Sequence, residues 1–263
     1  MMKQNDLLTT WLAEERAAHI RGWDFSHIQG RYQEGDGLPW DYEQLVRRCL
    51  RPGARLLDMD TGGGEFLLSL GHPHHLTSAT EAYPPNVALC RETLTPLGID
   101  FHEAESGGPL PFPAETFDLV LNRHGDYLPG EVFRVLKPGG VFLTQQVGAE
   151  NDRDLVELLL DPVPPLPFPE QHLEIARRKL EDAGFSILEA REAFPPIRFR
   201  DVGALVWFVR IIEWEFPGFS VEGCRRQLFR AQEILERKGE IVGTTHRYLL
   251  AGVRTGPCRT DPL

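Results

Sequence analysis

The sequence is short of basic residues, short of cysteine, and without any long uninterrupted apolar run. Its 28 lysines and arginines face 39 acids across 263 residues, a formal net charge of −11, which disfavours a broad phosphate-tracking surface and hence nucleic acid as a partner. Small basic clusters, Arg47, Arg48 and Arg51 and then Arg177, Arg178 and Lys179, have the spacing of solvated helix faces. The four cysteines, Cys49, Cys90, Cys224 and Cys258, lie far apart; this spacing signals neither a disulfide framework nor a zinc site, and a reducing, cytoplasmic compartment is expected. No window reaches the length of a membrane span, and the opening residues MMKQNDLLTTWLAEERAAH carry acids early, without a signal peptide's apolar centre. Internal repeats and low-complexity tracts are missing too.

What is present is an ordinary globular composition, 41% hydrophobic and 25% charged, with 21 prolines gathered in connections such as PVPPLPFP at 162–169. Apolar spacing predicts a surface helix over about 6–18, then an aromatic, aperiodic stretch at 21–42, then a helix from 42 to 50 stopped by Pro52-Gly53. From Arg55 the rhythm becomes alternating strand and helix: strands at 55–59, 76–80, 99–102, 118–121 and 140–147, helices at 65–70, 86–94 and 131–136, with Lys137-Pro138-Gly139-Gly140 as a turn. Such alternation predicts βαβ units and a mostly parallel sheet. Beyond it are a helix at 171–183, a strand at 185–190, an apolar aromatic segment at 202–214, an amphipathic helix at 221–238 and a closing strand at 244–253.

The stretch LLDMDTGGGEF, 56–66, is an apolar run ending in acid, then a glycine-rich turn, then a helix start. Glycines there permit positive φ and let a cofactor approach the backbone, while the following helix offers free N–H groups. Glu81 ends the next strand about twenty residues on, where a carboxylate can accept ribose hydroxyls. The pair suits either a nicotinamide dinucleotide or S-adenosylmethionine.

Later segments separate these. LLDMDTGGGEF, TSATE, HEAESGGPLPFPAETFDLVLNRH and EVFRVLKPGGVFLTQQV together resemble the class I S-adenosylmethionine-dependent methyltransferases over about 55–147, with weaker agreement out to 253. The resemblance implies a doubly wound, Rossmann-like, seven-stranded and mostly parallel sheet whose last strand is antiparallel. It suggests a division into an N-terminal helical or lid segment, 1–52, and a methyltransferase domain, 53–263, with an insertion at about 194–240. It implies S-adenosylmethionine as cofactor, with Asp58, Gly62 and Gly64 near its methionine half, Glu81 at the ribose, and Glu103 and Ala104 facing the adenine, Glu105 being an equally reachable acid there. Asn122, Arg123 and His124 follow the fourth strand beside the sulfonium and acceptor. His124 is the candidate base, because imidazole titrates near working pH; a structural, hydrogen-bonded histidine is the competing reading.

Asp60 departs from the pattern, standing where the family has its first glycine. Its carboxylate attracts a sulfonium or ammonium and repels the methionine carboxylate, leaving three outcomes open: a tolerated variant, a weakened site, or adaptation to an altered ligand. The acid charge favours a small-molecule acceptor. An RNA base methyltransferase and a catalytically degenerate, regulatory protein are the alternatives. Trp23 and Phe25, before the first strand, are candidate acceptor contacts and part of a lid; Trp207 and Trp214, within the aromatic segment 194–219, are candidate acceptor walls, with core packing as the competing role. His72, His74 and His75 (HPHH) lack partner acids at ligand spacing, so no metal is expected. Acceptor identity and oligomeric state are not encoded legibly.

Overall fold

A computed structural model describes residues 4–20, 24–34 and 37–256. Its first half runs α1 (Gln4–Ala17), β1 (Tyr32–Glu34), α2 (Tyr42–Cys49), β2 (Leu56–Met59), α3 (Glu65–Ser69), β3 (Thr77–Glu81), α4 (Pro84–Thr93), β4 (Asp100–Glu103), β5 (Phe117–Arg123), α5 (Pro129–Val135) and β6 (Leu136–Val147). Its second half runs α6 (Arg153–Leu159), α7 (Leu173–Asp182), β7 (Phe185–Ala193), β8 (Pro196–Phe199), α8 (Val202–Ile211), α9 (Arg225–Lys238), β9 (Ile241–Thr244) and β10 (Arg247–Arg254).

The chain forms two compact units, each assembled from three segments. One comprises 39–148, 170–192 and 248–263 and holds a seven-stranded sheet in the order β4-β3-β2-β5-β6-β10-β7. The sheet is mostly parallel, as the pairings of β2 with β3 and β5, β3 with β4, and β5 with β6 show; β10, the last strand to enter, is antiparallel. Every residue of β2 and β3 is buried, which explains why these strands read as continuous apolar or small-residue runs instead of alternating. Phe117, Val120, Phe133, Phe142 and Phe185 anchor the core of this unit. Strand order reverses at β2, with β3 and β4 to one side and β5 to the other. The carboxyl ends of β2 and β5 therefore flank the switch point, the usual ligand position in open α/β sheets.

The other unit comprises 1–38, 149–169 and 193–247. It has a three-stranded antiparallel sheet, β1-β8-β9, in which Tyr32 faces Phe199 and Phe199 faces Ile241. Eight consecutive residues of α8, from Val202 to Val209, are buried; apolar all round, it is a core helix, capped by Asp201 accepting from the Ala204 N–H at 2.8 Å. The units divide the chain differently from the segments 1–52 and 53–263: α2 joins the large sheet's unit, whereas α1 and β1 join the aromatic segment.

Three local expectations change. The strand expected at 244–253 is split between the two sheets, because Thr245 bonds to the Pro195 carbonyl through both N–H and Oγ1 (2.9 and 3.0 Å) and His246 donates its N–H to Asn151 Oδ1, taking both residues out of a ladder. The turn 137–140 lies inside β6, whose pairing with β5 is irregular between Phe117 and Leu119. The helix expected from 221 begins at Arg225.

Candidate active site

Asp58, the penultimate residue of the central strand β2, is buried. It accepts from Thr61 Oγ1 at 2.6 Å. Burial pushes its carboxyl up to about 6, with the Thr61 bond and the Arg123 charge opposing. The turn then passes through Asp60 (φ 54°), Gly62 (φ 65°) and Gly64 (φ 84°), all left-handed. Gly64 is required twice over, since a Cβ there would lie 2.7 Å from Leu94 Cδ2.

Glu81, buried at the end of β3, organises the neighbouring backbone. Its Oε2 accepts the Gly62 N–H at 2.7 Å, and its Oε1 accepts the Ala82 and Tyr83 N–H groups, each at 2.9 Å. A carboxylate has roughly four acceptor sites, so ribose hydroxyls must share or displace one of these bonds. Ala104 lies beside it, donating its N–H to the Glu81 carbonyl at 3.1 Å. Glu103 instead turns outward to Arg91, 2.5 Å away.

The departure at Asp60 gains one partner from the loop after β4 and one from the end of β5. Its Oδ2 accepts from Ser106 Oγ at 2.8 Å and from Asn122 Nδ2 at 3.4 Å. Asn122 is fully buried, and its Oδ1 accepts from Gln146 Nε2 at 2.5 Å and Thr144 Oγ1 at 3.3 Å. Gln146 Nε2 also donates to the Gly125 carbonyl at 2.9 Å. Gly125 has no room for a side chain: its Cβ would stand 2.7 Å from both Cβ and Cγ of Asp60, and closer still to Oδ2. Burial pushes the Asp60 carboxyl up to about 6, the Ser106 bond opposes, and Glu81 and Asp126 add to the rise. The Asp60 charge adds to the rise at Asp58.

Arg123, the cation at this strand end, spreads over the rings of Phe66 (4.7 Å) and Tyr42 (5.9 Å). His124 is exposed, has φ 63°, and donates its backbone N–H to the Gln145 carbonyl at 2.9 Å. Its Nε2 lies 3.4 Å from the Gln145 amide nitrogen, while Gln145 Oε1 accepts from Trp40 Nε1 at 2.8 Å. The indole fixes the amide orientation, and the amide then presents an N–H to the imidazole. Trp40 belongs to the aromatic stretch 21–42, whereas Ser106, Gly125, Gln145 and Gln146 are not among the residues the sequence singles out. A run of Gln145-Gln146 buried in a strand otherwise apolar was the one available signal.

The acceptor candidates scatter. Trp23 lies outside the described residues. In the smaller-sheet unit, Phe25 packs edge-on to Trp207 at 5.6 Å and Trp207 is 1% exposed, within the core cluster. Trp214 is 43% exposed. His72 and His74 are directed to the backbone carbonyls of Ala54 and Leu97, and among the described residues no group of three or more His, Cys, Asp or Glu is placed to hold a metal ion. No helix among the described residues is long and apolar enough to cross a membrane.

The strand order and the glycine turn at the switch point define an α/β protein of the nucleotide-binding, Rossmann-like class. Comparisons give the family. Residues 57–144 match a family model described as a methyltransferase domain. The sterol 24-C-methyltransferase of Schizosaccharomyces pombe is 28% identical over 156 residues, covering 51% of this chain and 39% of that protein. The chain thus spans about two-fifths of the length of this curated relative. Among solved structures, a functionally unknown protein from Deinococcus radiodurans R1 superposes with a TM-score of 0.58 at 15% identity, covering 86% of this chain and 91% of the other. The YcgJ protein of Bacillus subtilis superposes with a TM-score of 0.55 at 18% identity, covering 82% and 99%; both likenesses concern the fold. Residues 57–144 are thus a methyltransferase domain of the class I, S-adenosylmethionine-dependent kind.

S-Adenosylmethionine is the methyl donor of this family, and the residues here fit it. Left-handed glycines clear the backbone at Gly62 and Gly64, Glu81 stands at the end of β3, and the switch point carries Asp58 and Asp60 while Arg123 is stacked on aromatic rings. That balance suits a cationic ligand.

Proposed function

We propose that this protein transfers a methyl group from S-adenosylmethionine to a small-molecule acceptor. The observation that carries the reading is the acid-lined glycine turn at the switch point of the sheet, with Glu81 bonded to the Gly62 N–H at 2.7 Å. In this reading Asp58, Gly62 and Gly64 hold the methionine half, Glu81 the ribose, and Glu103 with Ala104 the adenine side. Asn122 and Arg123 bound the site at the end of β5. When bound, the cofactor supplies an activated methyl: the acceptor's lone pair bonds to that carbon, the carbon–sulfur bond breaks with its pair left on sulfur, and any acceptor proton departs.

The chain's task is then alignment, and removal of that proton when there is one. His124 takes it in this reading at Nε2, giving up the 3.4 Å contact by which the Gln145 amide N–H faces that nitrogen. Trp214, exposed on the aromatic segment, is the acceptor-contact candidate that stays accessible, Trp207 being a core residue packed on Phe25. A small acceptor is supported by the net charge of −11 and by the Schizosaccharomyces pombe relative, whose named acceptor class is a sterol. The test is transfer of labelled methyl from S-adenosylmethionine to a panel of small nucleophiles and sterols, with ribosomal RNA alongside. Label entering a small molecule supports the proposal; label entering only RNA, or no cofactor binding by either this protein or Asp60→Gly, overturns it.

A further inference from the structure

We infer that Asp60 is a charge selector, a carboxylate that makes the site hold the sulfonium donor more tightly than the demethylated product. This rests on the methyl-donor reading above and deepens it. Asp60 follows the central strand directly, and its Oδ2 is fixed by Ser106 and by Asn122, the penultimate residue of β5. Its charge is therefore placed where the carboxyl ends of β2 and β5 meet. Among the described residues Oδ1 has no hydrogen-bond partner, which leaves an acceptor for a cation. Arg123 is stacked on Phe66 and Tyr42 and forms no ion pair with Asp60 among the described residues, and Glu81 and Asp126 add charge of the same sign. A left-handed aspartate with Gly125 pared back to receive it is a built arrangement, maintained where glycine would be the relaxed choice.

The two ligands share an α-ammonium and a carboxylate, so whatever Asp60 does to those groups cancels in the affinity ratio. They differ by the sulfonium charge, which methyl transfer abolishes. Asp60 thus attracts the donor and releases its hold once the methyl has left, so that product departs readily and inhibits weakly.

The experiment is calorimetric titration of the full chain, and of Asp60→Asn and Asp60→Gly, with S-adenosylmethionine, S-adenosylhomocysteine and sinefungin, the last carrying an ammonium in place of the methylsulfonium. The expected result is donor and sinefungin bound about tenfold more tightly than product by the unmodified protein, falling towards parity in both variants. Asp60→Gly relieves the left-handed backbone and keeps the test open if Asp60→Asn does not fold. Product bound as tightly as donor, or a preference unchanged by both substitutions, overturns the selector role while leaving the methyl-donor reading intact. Failure of the unmodified protein to bind any of the three removes the role, and failure that persists in Asp60→Gly removes the methyl-donor reading with it.

Discussion

Replacing Gly125 by alanine tests the interlock at the site without any ligand. The added Cβ falls 2.7 Å from Cβ and Cγ of Asp60 and nearer still to Oδ2, well inside van der Waals contact, so the Asp60 side chain must retreat by about 1 Å, taking an ordinary carbon–carbon contact of ~3.5–4.0 Å as reference. Retreat strains the bonds from Ser106 (2.8 Å) and Asn122 (3.4 Å). Overpacking costs about 1–3 kcal/mol, and a lost hydrogen bond to a charged group about 1.5–3 kcal/mol. Gly125→Ala should therefore destabilise by roughly 2–4 kcal/mol, a fall in Tm of about 4–16 °C for a chain of this size. In Asp60→Gly the obstructing atoms are gone, and the same alanine should cost under about 1 kcal/mol. Thermal unfolding of the four proteins in a double-mutant cycle gives the coupling, expected at about 1–3 kcal/mol. Additive effects of the two substitutions would show that Asp60 and Gly125 do not share this space.

Glu81→Gln replaces a buried acceptor of three backbone N–H groups with an amide whose own N–H must face one of them; a loss of about 2–3 kcal/mol is expected, against little change for Asn86→Ala, whose contact to Glu81 is 3.5 Å, and equal Tm values in the two variants would refute it. In the smaller-sheet unit, Asp152 and Glu215 are buried together, both bonded to Asn151 Nδ2, with Arg247, Glu34 and Asp154 as the other charges around Asp152. Burial raises both carboxyls, Asp152 well above the carboxylate range and Glu215 up to about 7. Because these folded-state values lie above the unfolded ones, the pair's stabilisation is complete below about pH 4 and is lost as pH rises through about 7. Unfolding followed by tryptophan fluorescence should accordingly show lower stability of this unit at pH 8 than at pH 5.5. Asp152→Asn should flatten that slope, and an unchanged slope would count against the pair as its source.

The sequence by itself determined the large sheet, since each strand–turn–helix step is written within about ten residues and depends on local chemistry: buried runs at 56–59 and 77–81 and glycines where φ must be positive. It also made Asp58, Gly62, Gly64 and Glu81 legible, because they occupy strand ends and turns whose offsets are short. Only the tertiary structure decided what Asp60 touches. Ser106 and Asn122 lie 46 and 62 residues away along the chain, and their approach follows from parallel strand order, which no local pattern records. The same holds for the small sheet, where strands of three or four residues are too short for a period to show and Tyr32 pairs with Phe199 across most of the chain. The aromatic segment was visible as apolar but not as core, because apolar content alone does not say whether Trp207 meets a ligand or its neighbours; packing beside Phe25 at 1% exposure is a property of the folded unit.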